Sequence, residues 1–321
     1  MNCEQNCEAC VGCDISGVCG ELAPDDGEVL TRIAAFGREF SRKLLISSSY
    51  PEHANHCLLA VLFGKFLRIT PHIPRWIDRD RLVVGDNNIL PWLYLAGFPI
   101  QLDDIIFPGR TGGISEDLDF QSFGIGWAAE PQIVKAVDMA ISHKKMTTSL
   151  QQRGIPCLSK VLALTGNISH RDPTVAESLR LAADAKLDNL IIISEENIID
   201  NSVCISISEL RTSGFHVEEI GENDVQTIYE NLIRARLNSQ RQPQIIITHG
   251  HTLESSETSQ SAFTGETITH EDFLIPDTIH NYFALLNMRK NNDYENWQYR
   301  FECAVDFHPE ILQFVEGLHA H

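Results

Sequence analysis

Between residues 161 and 250 short apolar runs alternate with stretches of helical periodicity, and few folds accommodate that rhythm. VLALTG (161–166), NLIIISEE (189–196), FHVEEIG (215–221) and QIIITHG (244–250) read as strands, three of them halted by glycine. Between them lie TVAESLRLAADAK (174–186) and helical stretches near 205–213 and 224–238. Pro173 stands where the first turn of a helix tolerates proline. Strands alternating with helices of this length imply an α/β fold, a doubly wound and mostly parallel sheet flanked by helices. Ligands of such sheets bind outside the carboxyl ends of the strands.

The remainder fits around that unit. Two helical stretches are expected between residues 28 and 67, and HCLLAVLFGKFL (56–67) is apolar enough to be a buried helix. ITPHIPRW (69–76), with two prolines, is expected as a loop, and so is the glycine-bearing stretch 112–128. PQIVKAVDMAISHKK (131–145) has helical spacing, residues 252–270 form a polar loop, and the aromatic-bearing tail 280–316 reads as a helical cover. Residues 1–25 are Cys-rich and end in a turn-like PDDG, so they read as an N-terminal appendage to one domain spanning 26–321.

The 44 acidic side chains against 25 Lys and Arg give a formal charge of −19. Such a surface repels phosphate backbones and anionic lipid, so neither nucleic acid nor membrane is expected as a partner. No run approaches the length of a membrane span, and MNCEQNCEACVGCD lacks the basic and apolar regions of a signal peptide. The expected location is the cytoplasm. Cysteines there are thiols or metal ligands more often than disulfides. Cys57, Cys157, Cys204 and Cys303 stand singly and are expected as small buried side chains.

FLRITPHIPRWIDRDRLVV (66–84) resembles the transketolase stretch in which a helix leads through a Pro-x-x-Pro-x-Trp loop into Asp-Arg-Asp-Arg and a strand. PWLYLAGFPI (91–100) and LDFQSFGIGWAAEPQIVKAVDMAIS (118–142) resemble later stretches of the same family. So do VLALTGNISHRDPTVAESLRLAADAKLDNLIIISEENII (161–199) and GFHVEEIGENDVQTI (214–228), in family order. The likeness runs from about Glu28 to about Thr267 and is confined to the front, diphosphate-binding half of a transketolase. It implies the thiamine-diphosphate-binding fold, with thiamine diphosphate and Mg²⁺ as cofactors. It further implies a homodimer, a separate subunit like the family's C-terminal half, or both, because the activating glutamate belongs to that other half.

In the family a Gly-Asp-Gly at a strand end, an Asn thirty positions later and a carbonyl two residues beyond hold the Mg²⁺–diphosphate. Here these positions are Gly166-Asn167-Ile168, Asn197 and Ile199. Hard oxygen donors suit Mg²⁺, but Asn167 lacks the carboxylate charge and Ile168 lacks the freedom of glycine. Two readings follow: a weakened metal–diphosphate site, or a relic in which Asn167 caps the following helix. The family's catalytic histidines are missing from the matching loops, SSSYPEH (47–53), VVGDNN (83–88), Gly109-Arg110-Thr111-Gly112 and Phe263-Thr264-Gly265. The loop that contacts the aminopyrimidine reads Ser122-Phe123-Gly124-Ile125-Gly126. His249 and His251, at the end of the last strand, are the substitute acid–base candidates, with solvent-facing loop residues as the alternative.

Cys3, Cys7, Cys10 and Cys13 follow a C-x3-C-x2-C-x2-C spacing that can converge on an Fe–S cluster or Zn²⁺, or can belong to an oxidation-prone tail. Two functions are therefore expected. One is a transketolase-like pseudoenzyme or regulatory, binding subunit that keeps the fold without the histidines. The other is the diphosphate-binding subunit of a two-component enzyme that transfers a two-carbon ketol unit. A stand-alone transketolase is excluded.

Overall fold

A computed structural model describes residues 24–47, 55–85, 89–106, 120–128, 131–166, 168, 172–196, 205–221, 224–237, 241–249 and 273–312. Six strands, β1 (Arg81–Val84), β2 (Ile125–Trp127), β3 (Val161–Thr165), β4 (Leu190–Glu196), β5 (His216–Ile220) and β6 (Gln244–His249), form one sheet. Their order is β2-β1-β3-β4-β6-β5 and every neighbouring pair is parallel, so the expected doubly wound architecture is present.

A parallel sheet covered on both faces needs apolar side chains at consecutive positions, and β4 supplies them: Leu190, Ile191, Ile192 and Ile193 are all at 0% exposure. Each such side chain contributes on the order of 2 kcal/mol by leaving water. The two-residue period of a strand divides them between two cores. Leu82, Leu162, Ile191, Ile193 and Ile246 face helices α1 (Pro24–Ser47), α2 (His56–Val61) and α8 (Val225–Arg236). Val83, Val161, Ala163, Ile192 and Ile245 face α5 (Gln132–Gln151), α6 (Pro173–Asp184) and α7 (Ile207–Thr212). Short helices α3 (Leu90–Leu95) and α4 (Leu102–Ile106) close the front. The tail folds as the long helix α9 (Asp277–Phe307), the expected cover, and builds a third cluster in which Trp297 and Phe301 meet Trp76 and Leu150.

Three local expectations are corrected and one is refined. PDDG (24–27) is the first turn of α1 and not a free turn: Pro24 opens the helix, Asp25 and Asp26 lie at its positive end, and Lys65 bonds Asp26 at 2.7 Å. The stretch 112–128, expected as a loop throughout, contains β2, whose three residues are too few to show a period but pair in register with β1. The run 56–67 is the buried helix expected, α-helical over His56–Val61 and widening into a π-helix at Leu62–Phe66. Of the single cysteines, Cys157 is buried, whereas Cys57 and Cys303 are only half-buried; Cys204 lies outside the described residues.

Candidate functional site

From β1 the chain winds to β2 on one side; β3 returns to the other side of β1 and leads on to β4. The winding direction therefore reverses between β1 and β3, and the crevice at their carboxyl ends is where a doubly wound sheet takes its ligand. Gly85 closes β1, and a Cβ there would stand 1.6 Å from Nε2 of Gln132. Only glycine lets that amide so close. Gln132 is the first residue of α5, and its Oε1 accepts a 3.5 Å hydrogen bond from the Thr165 hydroxyl at the end of β3. One side chain thus spans the switch point.

The register of β3 and β4 pairs Thr165 with Ser194, so both strands end on the same edge. Beyond Thr165, the Gly166 carbonyl accepts from Ser194 Oγ at 2.9 Å. No described atom comes within 4 Å of where a Gly166 Cβ would stand, so among the described residues the turn is open at that point. Ile168 does not fill this opening. Its side chain is 4% exposed and packs in the core with Val175 and Leu179, and its carbonyl accepts from Ile205 N at 2.9 Å. The capping alternative for Asn167 is also corrected: the N-cap of α6 is Asp172, whose carboxylate accepts from Thr174 N at 2.8 Å.

At the end of β4, Glu195 Oε1 accepts the backbone N–H of Asn55 at 2.9 Å. Asn55 in turn caps α2, its side chain accepting from Leu58 N. This pair ties the start of α2 to the sheet edge. The next residue, His56, lies beside Trp92, with its Nδ1 buried and unpartnered. Burial, with Arg38 nearby, pushes its pKa down to about 4, so the imidazole is neutral at ordinary pH. His249 ends β6 opposite Glu196 of β4.

Asn167, Asn197, Ile199, His251, Cys3, Cys7, Cys10 and Cys13 lie outside the described residues. Among the described residues no three His, Cys, Asp or Glu side chains converge as a metal site would require. Gln132, Ser194, Glu195 and Asn55 are edge residues that sequence reasoning did not single out. Spacing offers no signal for them, because they are brought to the edge by three separate elements: the start of α5, the end of β4 and the cap of α2. What the described edge offers is an open glycine turn beside hydroxyl, amide and carboxylate oxygens, a setting that suits a diphosphate with a hard cation.

The family whose description is "Transketolase, thiamine diphosphate binding domain" matches residues 54–319. The transketolase of Physarum polycephalum is 23% identical over 305 residues, covering 80% of this chain and 44% of that protein. The chain thus spans less than half the length of such relatives. The 6-deoxy-6-sulfo-D-fructose transketolase subunit SqwG of Clostridium sp. (strain MSTE9) is 28% identical over 214 residues, covering 59% of this chain and 71% of that one. Among solved structures, the transketolase of Leishmania mexicana superposes with a TM-score of 0.72 at 17% identity, over 88% of this chain and 48% of its own. The sheet order, the open strand-end turn and the matched residues agree: this chain belongs to the transketolase family and carries its thiamine diphosphate binding domain.

Proposed function

We propose that the chain is the diphosphate-binding component of a two-component, thiamine-diphosphate-dependent enzyme of the transketolase type, working with a polypeptide like the family's other half. The observation that carries this reading is the likeness to a transketolase subunit, of which 71% is covered, against 44% of a full transketolase. The outer face of α9 adds support. Leu285, Met288, Tyr299 and Phe307 are 57–78% exposed there, the kind of apolar surface that a partner covers. A second copy of the chain is a further candidate for that face.

On this reading the turn at Gly166 leaves room for the diphosphate, and Asn167, Asn197 and the Ile199 carbonyl hold Mg²⁺. Thiamine diphosphate, when bound, supplies the ylid that stabilises a carbanion. Gln132 would orient the ligand from the switch point, and His249 or His251 would hold or move the proton that family histidines handle elsewhere. The pseudoenzyme expectation gains nothing beyond the missing histidines on which it already rested. The boundary near residue 25, and metal binding by Cys3, Cys7, Cys10 and Cys13, stay as proposals; iron, sulfide and zinc analysis of anaerobically purified protein tests the latter.

Calorimetric titration with thiamine diphosphate and Mg²⁺, alone and with the candidate partner, is the deciding experiment. Micromolar binding is expected, tightened about tenfold in Asn167→Asp by the restored carboxylate charge. Absence of binding both alone and with the partner would overturn the reading.

A further inference from the structure

A cavity of about 200 Å³ opens at the opposite, amino end of the strands. Its walls come from the residues just before β3 and β4, the last turns of α5 and the end of α8. Arg68, Lys144, Lys160 and Arg236 all line it, an unusual gathering of cations in a chain of net charge −19.

Most of that charge is answered locally. Arg236 bonds Asp80 at 2.6 and 3.1 Å and also donates to the carbonyls of Phe66 and Leu158. Arg68 bonds Asp78 at 3.1 Å, and Lys144 bonds Asp188 at 3.0 Å. Lys160 has no carboxylate of its own. Its ammonium donates to the backbone carbonyl of Asp188 at 2.9 Å, which leaves two of its three N–H bonds unused. Among the described residues these four cations stand against three carboxylates, so one positive charge is left at a half-open cavity. The carbonyl end of α5 faces the same wall, but its partial charge, roughly half an elementary charge, offsets only part of the excess.

Two further observations point the same way. The Nε of Arg68 is buried without a hydrogen-bond partner. A buried donor left unpaired costs about 1–3 kcal/mol, so this guanidinium is not fully satisfied by Asp78. Burial first, and then Arg236, push the Lys160 pKa down to about 8, although Asp188 and Asp80 pull it back up, so this ammonium sits where a nearby anion would favour its charged form.

We propose that this cavity binds one small tetrahedral oxyanion, held by the Lys160 ammonium and the Arg68 guanidinium. The volume is below the roughly 300–1,000 Å³ of sites for drug-sized ligands, and suits a phosphate group with little attached to it. The site lies at the far end of the strands from Gly166 and does not depend on the function proposed above. An occupant would join the approach to β1, the starts of β3 and β4, and the end of α8. Its effect would therefore be to stabilise the fold, and cofactor binding at the other edge would not require it.

The test is a thermal-unfolding titration of the full chain with inorganic phosphate and, separately, glycerol 3-phosphate, each against chloride at matched ionic strength. A saturable rise in Tm with phosphate is expected, weakened about tenfold or more in Lys160→Met and retained in Lys160→Arg. A rise with inorganic phosphate alone identifies the free ion as the occupant; a rise with both admits a phosphate monoester. ³¹P line-broadening on the unmodified protein, reversed by sulfate, gives a reading that survives if Lys160→Met fails to fold. A Tm rise that never saturates, equals that in chloride or is unchanged in folded Lys160→Met, or phosphate lines that stay sharp, would overturn the proposal.

Discussion

At the amino end of the sheet Asp78 and Asp80 are wholly buried, and each is saturated with donors. Asp80 takes the Arg236 guanidinium twice and the backbone N–H groups of Arg68 and Lys160. Asp78 takes Arg68, the Ser159 hydroxyl and the N–H groups of Leu158 and Ser159. Ser159 continues to His143 and Asn189, so the network is a chain from helix to strand. At the carboxyl end the described contacts are of a different kind, neutral or singly charged rather than paired charges. Strands stop at Gly85 and Gly166, the Gln132 amide accepts from Thr165, Ser194 donates to the Gly166 carbonyl, and Glu195 accepts from the backbone of Asn55. Charge at one end locks the strands into register, whereas the other end keeps polar groups near an opening.

Substitutions at the two ends should differ most in their cost to stability. Asp80→Ala leaves Arg236 buried without its partner, and is expected to cost about 3–5 kcal/mol in denaturant unfolding. Burial alone would raise the Asp80 pKa, yet Arg236 and the backbone donors hold it below the ordinary carboxylate range. Its contribution is accordingly present above that range and lost in strong acid.

His56 carries the next effect. Its folded pKa of about 4 lies below its unfolded value near 6.5, so the unfolded chain binds the extra proton. Stability is therefore complete above pH 6.5 and falls as the pH drops towards 4, by up to about 3 kcal/mol. His143 acts in the same sense at the other end, because burial and then Arg81 lower its pKa. The difference between wild type and His56→Phe, measured by unfolding at pH 7 and pH 4.5, isolates the carboxyl-edge share. Equal slopes in the two proteins would refute it.

Gly85→Ala should cost about 1 kcal/mol or less, because the Gln132 amide that the new Cβ meets ends a flexible side chain and can swing aside. Most of that loss should vanish in the Gly85→Ala/Gln132→Ala double variant, and additive costs would show that the amide does not sit over Gly85. Ser194→Ala, which removes only the bond to the Gly166 carbonyl, should cost about 1 kcal/mol in the same assay. A cost as large as that of Asp80→Ala would erase the contrast between the ends.

Much of this fold was legible in the residues. The four strands of the second half, α5, α6, α8 and the helical tail were all marked by periodicity and breakers, because consecutive apolar residues have few places to go but a covered sheet. The Pro-x-x-Pro-x-Trp and Asp-Arg-Asp-Arg stretch was legible as a resemblance, though not in its role. Nothing in the order of residues 78–81 shows that two of those carboxylates clamp the entry to β3, or that Arg236, 156 residues from Asp80, completes the clamp. β2 was illegible because three residues carry no period and its existence depends on β1. The fate of Ile168 was illegible for a similar reason. A β-branched side chain after a strand can point to the edge or to the core, and packing under α6 chose the core.

The sequence by itself determined the architecture, because strands and helices follow from local pattern, and its motifs carried the resemblance to the family to which the chain belongs. The tertiary structure alone decided which polar groups share an edge: Gln132 across the switch point, Glu195 on Asn55, and Lys160 among cations at the far end. Such meetings join residues up to 140 positions apart. They arise only when the sheet order brings strand ends together, and no local preference encodes that order.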